Sequence, residues 1–302
     1  MDPSLSVSLP GLELSNPTIL ASGILGDDPN LLTRVAEAGI GGLTTKSFTV
    51  ESREGYKPPI IAYVKAGMVN AVGLSNPGYR YLRNLLSRVK GLGIPVIVNI
   101  AGTNIDEYLL IAEEATEAGA NALELNLSCP HVKGYGLEIL NDREYSYKIV
   151  KDISSITDLP VYPKIGLIDD YIGLVSRLLD GGASGITAIN TVRAIAIDIY
   201  ARRPILSNIY GGLSGPAIHP IALRVVYDIY KEFNIPIIGV GGVVDWDDIV
   251  SFMLAGASAV GIGTIISVRG LRVIGELIKG LRMYLRDEGF RDVNEIIGLA
   301  VK

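Results

Sequence analysis

"IVSFMLAGASAVGIGTIISV", residues 249–268, decides how this chain is read. Its twenty residues carry no charge and are nominally long enough to cross the hydrocarbon of a bilayer. A membrane span needs continuous helix, and this run breaks in the middle. "AGAS" (255–258) reads as a helix end followed by a turn, and "AVGIG" (259–263) as a short buried strand. The stretch is therefore a helix and a strand in succession, which is one unit of an α/β protein.

The same unit recurs through the chain. Short runs rich in Val, Ile, Leu and Ala stand at 18–21, 40–45, 95–99, 122–127, 160–165, 185–190, 236–240 and 258–262. Each is followed by a longer segment with helical periodicity, the pattern of a parallel sheet with crossover helices. In 169–182, Tyr171, Leu174, Val175 and Leu178 fall on one stripe, with Asp169 or Asp170 as N-cap and Gly181 and Gly182 as the stop. Segment 216–234 repeats the logic, with Pro216 in the first turn and Pro236 beyond the end. Segment 104–119 opens on a capping-box-like "NIDE" and closes on Gly119.

Eight such units predict an α/β fold of the TIM-barrel type, a (β/α)8 barrel whose active site belongs at the C-terminal ends of the strands. No shift of composition or linker divides residues 1–302, so a single barrel domain is expected. The connections 47–76 and 191–215 are too long for bare loops, and the segment after strand four should fold over the barrel mouth. Lid or insert loops are thus expected after strands two, four and six; plain structural insertions remain the alternative.

The chain is 48% hydrophobic and carries 27 Lys and Arg against 32 Asp and Glu, a net charge of -5. That balance offers no broad attraction to nucleic acid or an anionic membrane, and a small-molecule or protein partner fits better. The one cysteine cannot form an internal disulfide, which suits a reducing compartment, and "MDPSLSVSLPG" lacks the basic start and apolar core of a signal peptide. A cytoplasmic protein is expected.

If the barrel reading is right, polar residues and glycines should gather where each strand stops. They do so at "ASG" (21–23), "TKS" (45–47), Asn99, "NLSC" (126–129), Lys164, "NT" (190–191), "GG" (241–242) and "GT" (263–264). Gly241, Gly242, Gly263 and Thr264 end strands seven and eight, where backbone N–H groups of this barrel type commonly receive a phosphate. Gly215, before Pro216, offers a third set of donors or simply a tight turn. Lys46 and Lys164 either snorkel outward or point into the mouth, to stabilise negative charge or to form a Schiff base. Asn70, Asn99, Asn126 and Asn190 can donate and accept at once, which suits a planar ligand with alternating carbonyl and N–H edges.

Cys129 follows Asn126 by three residues, on a loop bounded by Pro130 and the glycines of "KGYG" (133–136). A free cysteine is commonly a small buried hydrophobe, but such a loop is a poor place to bury one. As a general base it needs help, because a thiol of pKa about 8.5 is only a few per cent thiolate at neutral pH. His131 and Lys133 are placed to supply that bias. His219, inside a helix, reads as structural. Two distant histidines and one cysteine make no metal site, and no GxGxxG after a strand, GxSxG or Walker loop is present.

Together, "TKS" (45–47), "NAVGLSNPG" (70–78), "NIAG" (99–102), "ELNLSCP" (124–130), Lys164, "INT" (189–191), "GGLSGPAIHPIAL" (211–223), "GVGG" (239–242) and "GASAVGIGT" (256–264) resemble the class 1, cytosolic dihydroorotate dehydrogenases, in order along nearly the whole chain. "GGLSGPAI" is most similar to the B subgroup. The resemblance implies an FMN-containing barrel that oxidises dihydroorotate to orotate in pyrimidine synthesis. It makes Cys129 the base that removes the C5 proton while the C6 hydride passes to N5 of FMN. It implies that Lys46, Asn70, Gly73, Leu74, Asn126, Asn190 and Thr191 hold orotate. For FMN it implies Ala21, Ser22, Gly23, Lys46, Ser47, Asn99, Asn126, Lys164, Gly215, Gly241, Gly242, Gly263 and Thr264, with Lys164 near the pyrimidine edge of the flavin.

The resemblance further implies a homodimeric core and, for the B subgroup, a partner subunit with FAD and an iron-sulfur cluster that passes electrons to NAD. One departure bears on substrate: many members have "SCPN" where this chain has "SCPH", so that His131 replaces an asparagine. "SCPH" is also found in the related dihydropyrimidine dehydrogenases, which handle uracil or thymine. A Schiff-base lyase using Lys46 or Lys164, or a non-catalytic flavin barrel in which Cys129 merely packs, are the readings from other classes.

Overall fold

A computed structural model describes residues 2–128 and 140–302. Eight parallel strands close into a barrel: β1 (Thr18–Leu20), β2 (Gly42–Thr44), β3 (Val96–Ile100), β4 (Ala122–Asn126), β5 (Val161–Ile165), β6 (Ile186–Ala188), β7 (Ile237–Val240) and β8 (Ala259–Ile262). They follow one another around the barrel in chain order, and Gly261 of β8 pairs with Ile19 of β1 to close it. Seven of these strands fall within a run expected from the sequence, and β3 extends one residue beyond its run of 95–99, to Ile100. Their mainly apolar character has a physical cause: one face of each strand meets the barrel axis and the other meets a covering helix.

The uncharged stretch 249–268 resolves as the sequence suggested. Its first part ends the helix Trp246–Leu254, its centre is β8, and Thr264–Arg269 is a short helix. Gly256 makes the turn between them with φ +108°, and a Cβ there would stand 2.0 Å from the ring of Tyr230. Among the described residues no helix is long and apolar enough to cross a membrane.

The covering helices also follow their sequence signals. Tyr171–Asp180 is capped by Asp170 and buries Tyr171, Leu174, Val175 and Leu178. Ile105–Ala118 is capped by Asn104 and ends on Gly119 in the left-handed conformation. The Glu107 carboxylate reaches back to accept from the N–H of Thr103, one residue before the cap. The helix expected from 216 starts later: Pro216–Ile218 forms a single 3-10 turn and the α-helix runs from His219 to Phe233.

One part of the architecture has no counterpart in the sequence reading, and the inserts expected after strands two and six form a sheet it did not foresee. A hairpin of Val7–Leu9 and Leu12–Leu14 covers the N-terminal end of the barrel, with Leu5, Val7, Leu9, Leu12 and Leu14 all buried in the main apolar core. The Tyr162 hydroxyl of β5 donates to the carbonyl of Pro10 in its turn at 2.7 Å, and burial pushes that phenol up from its ordinary pKa. At the opposite end, the long connections after β2 and β6 join. Strands Ile61–Val64 and Gly67–Asn70 from the first and Val192–Ile195 and Tyr210–Ser214 from the second form one antiparallel four-stranded sheet, with Gly67–Asn70 and Tyr210–Ser214 at its centre. The sheet has a small apolar core of its own around Ala62, Val69, Ala71, Ala196 and Leu206.

Candidate functional site

A cavity of about 360 Å³ opens where the C-terminal ends of the barrel strands meet the four-stranded sheet. Its size lies in the range usual for a small-molecule or cofactor site. Ala21, Ser22 and Gly23 after β1, Lys46 and Ser47 after β2, Asn126 on β4 and Lys164 on β5 all border it. So do Asn190 and Thr191 after β6, Gly241 and Gly242 after β7, and Gly263 and Thr264 after β8. The insert contributes Asn70, Gly73 and Leu74. Sixteen residues singled out from the sequence thus border one space, although they come from every strand except β3.

Side-chain orientation in this wall is set by a hydrogen-bond network. Asn126 Nδ2 donates to Ser47 Oγ at 2.9 Å, and Asn190 Nδ2 donates to Ser128 Oγ at 3.0 Å. Ser128 Oγ in turn donates to the Lys164 carbonyl at 3.0 Å, while Asn190 Oδ1 accepts from the N–H of Thr191 at 2.8 Å. Asn70 lies in the sheet opposite Gly212, so the insert carries this amide to the cavity edge. A row of neutral amides with fixed orientation can read a flat ligand that carries both donors and acceptors.

The two lysines differ in setting. Lys46 Nζ pairs with Asp27 Oδ2 at 2.8 Å in a partly exposed ion pair. Lys164 Nζ stands 3.5 Å from Glu124 Oε1, with both side chains almost wholly buried. At β7 and β8 the wall is backbone. Gly242 has φ +75°, and a Cβ on it would meet Gly215 O at 2.7 Å and His219 N at 2.8 Å. By contrast a Cβ on Gly23 would have nothing within 4 Å and one on Gly263 nothing closer than 3.5 Å. These two glycines leave room at the wall itself.

Two expected site residues do not border the cavity. Asn99 is fully buried and donates from Nδ2 to Glu124 Oε1 at 2.5 Å. Gly215 lies behind Gly242, which it packs against through its carbonyl. His219 is held structurally, as read: Nδ1 lies 3.1 Å from the Gly241 carbonyl and Nε2 3.0 Å from Ser251 Oγ, so the ring braces the β7 turn. Cys129, Pro130, His131, Lys133 and the glycines of 133–136 lie outside the described residues.

The sequence reading missed Asp27 and Glu124, the partners of the two lysines. Glu124 had a signal, a carboxylate inside the leucine-rich run "ALELNL", whose strand is buried throughout. It also missed Leu25, which borders the cavity with φ of +58°, as the expected Leu74 does with φ of +56°. Non-glycine residues rarely hold that conformation, and where they do the surroundings impose it, commonly at a ligand site.

Comparison with known proteins places this cavity in context. Residues 4–285 match the family of dihydroorotate dehydrogenases. The catalytic subunit of dihydroorotate dehydrogenase B (NAD(+)) from Pyrococcus furiosus is 49% identical over 302 residues, covering 99% of each chain. The subunit of the same name from Methanocaldococcus jannaschii is 38% identical over 301 residues and 98% of each chain. A relative in Aeropyrum pernix, 44% identical over 299 residues, 99% of this chain and 98% of its own, carries a provisional name of the fumarate-linked A type.

Proposed function

The chain belongs to the dihydroorotate dehydrogenase family and is an oxidoreductase, and from that premise we propose that it is the FMN-dependent catalytic barrel, 1–302, that oxidises dihydroorotate to orotate in pyrimidine synthesis. The observation that carries the reading is the convergence of Lys46, Asn70, Asn126, Lys164 and Asn190 with the glycine ends of β7 and β8 on one cavity.

The residues present fit FMN. Open space at Gly23 and Gly263 leaves room that a flat ring would fill; Lys164, at the cavity wall, would meet the pyrimidine edge, and Gly241, Gly242, Gly263 and Thr264, which also border the cavity, would seat the phosphate on backbone N–H groups. Ala21, Ser22 and Ser47 would complete the cofactor wall, with Asn99 and Gly215 supporting it from behind. When bound, FMN would supply the hydride acceptor for C6 of the substrate.

The remaining work falls to the protein. Asn70, Asn126 and Asn190, with Thr191, Gly73 and Leu74, would hold the carbonyl and N–H edges of dihydroorotate, and Lys46 would meet its carboxylate. Cys129 Sγ would take the C5 proton, which with loss of hydride from C6 leaves the C5–C6 double bond of orotate. A thiol needs a cationic neighbour to be an effective base near neutral pH, and His131 and Lys133 are its near neighbours in sequence.

The names of the relatives, catalytic subunits of an NAD(+)-linked enzyme, support a partner subunit with NAD as final acceptor; the sequence resemblance adds FAD and an iron-sulfur cluster on that partner, a homodimeric core and a cytoplasmic location. The A-type name of the Aeropyrum relative makes fumarate the acceptor to test beside NAD. An anaerobic visible spectrum before and after adding dihydroorotate tests the reading directly. A flavin band that bleaches is the expected result. A protein with no flavin band defeats the cofactor assignment, and a band bleached by dihydrouracil but not by dihydroorotate transfers the substrate to the reduced pyrimidines, with His131 as the residue to change.

A further inference from the structure

Beneath the cavity the barrel interior is not apolar. Asn99 on β3 stands opposite Glu124 on β4, Asn126 on β4 opposite Lys164 on β5, and Lys164 opposite Thr187 on β6. Neighbours in register on parallel strands present their side chains to the same face, so a polar ladder crosses four adjacent strands. Glu124 is 2% exposed and Lys164 5%. A single oxygen, Glu124 Oε1, accepts from Asn99 Nδ2 at 2.5 Å and faces Lys164 Nζ at 3.5 Å. Among the described residues two buried side-chain oxygens have no hydrogen-bond partner, Asn99 Oδ1 and Thr187 Oγ1, and they flank this pair on either side.

Two charges at this depth are a poor device for stabilising a barrel. Desolvation opposes most of their attraction, and apolar side chains of similar volume commonly do as well or better. Branched aliphatics are the usual filling of such an interior. Position separates the two partners: Lys164 borders the cavity and Glu124 does not. The carboxylate therefore reaches a ligand only through the lysine, and Asn99 fixes the carboxylate in turn.

Resting on the reading of the cavity as an FMN site, we propose that Glu124 is a positioning residue that holds the Lys164 ammonium at the cavity floor and offsets its charge. The bound flavin then meets the positive end of a neutral ion pair in place of an isolated cation.

Sulfite provides a probe that needs no turnover. It adds to oxidised flavin as an anion and bleaches the visible band, so its dissociation constant reads the positive charge beside the ring. Glu124→Gln keeps the volume and the acceptor for Asn99 while removing the charge. One uncompensated charge several ångströms away should tighten sulfite binding roughly tenfold or more at an effective dielectric near 20. Lys164→Met should weaken it. In the Lys164→Met background the buried Glu124 carboxyl has no cation beside it and takes up a proton, so adding Glu124→Gln to Lys164→Met should change the constant by less than about twofold, the signature of coupled sites. Unchanged or weaker binding in Glu124→Gln, or the same shift in both backgrounds, overturns the proposal. Should Glu124→Gln fail to fold, Glu124→Asp withdraws the charge by one methylene, and a smaller shift in the same direction is required. A wild-type protein without flavin would sink the FMN reading itself, whereas a flavin-loaded protein without the shift sinks only the role of Glu124.

Discussion

The two ends of the barrel are made from the same eight strands and use their polar groups in opposite ways. At the N-terminal end, the hairpin Val7–Leu14 seals the strands with leucine and valine, and the Tyr162 hydroxyl is spent on the Pro10 carbonyl. At the C-terminal end, lysines, amides and glycines border a cavity. The N-terminal end is a device for closing the core, and the C-terminal end forgoes that closure to present groups to a ligand. Changes at one end should therefore act on stability and changes at the other on chemistry.

The largest effect should follow from Cys129→Ser, the change aimed most directly at chemistry. A misassigned general base usually leaves the rate alone, whereas loss of a true one costs about 10²–10⁴-fold. Anaerobic mixing of dihydroorotate with the flavin-loaded variant should show bleaching slowed by that order at neutral pH, with the optimum moved upward because a hydroxyl is the weaker acid. Flavin content and thermal stability should match the wild type. A rate and pH profile identical to the wild type would remove Cys129 from the reaction.

Leu12→Ala tests the other end. Leu12 is fully buried in the hairpin, and truncating such a residue costs about 2–5 kcal/mol through lost burial and the space left behind. Chemical denaturation should show that loss, while the folded fraction should bind FMN and sulfite as tightly as before. A change in flavin affinity without a change in stability would break the division between the two ends.

Most of the barrel was legible because its signals are local. A helix stripe such as that of Tyr171, Leu174, Val175 and Leu178 is complete within eight residues. The insert sheet was not legible, because its central pairing joins Asn70 to Gly212 across 142 residues through strands of only four and five. Glu124 was missed for a different reason. Alternation is ordinarily read as apolar inside and polar outside, but here helices cover the outer face and the cavity occupies the axis. In "ALELNL" Leu123 and Leu125 take the face opposite Glu124 and Asn126, and Asn126 borders the cavity, so the polar set points inward. The residues that end each strand stood out in sequence; Asp27, which holds Lys46, did not, because an ion pair between residues 19 apart leaves no local pattern.

The smallest effect should come from Asp27→Asn, which sharpens the comparison within the C-terminal end. Asp27 and Lys46 are 30% and 18% exposed as side chains, against 3% and 7% for Glu124 and Lys164. Water screens the outer pair, and such pairs contribute about 0–1 kcal/mol. Thermal stability should therefore hardly move. What changes is the availability of Lys46: released from Asp27, it should bind the carboxylate of orotate a few-fold more tightly, roughly the same 0–1 kcal/mol transferred from one carboxylate to another. Titration of orotate against the flavin spectrum at low and high salt measures this, and the gain should shrink as salt rises because the exposed charge is screened. A loss of stability comparable to that of Leu12→Ala would mean that Asp27 belongs to the closed part of the barrel, and that the boundary between holding the fold and presenting the site lies further out than the cavity wall.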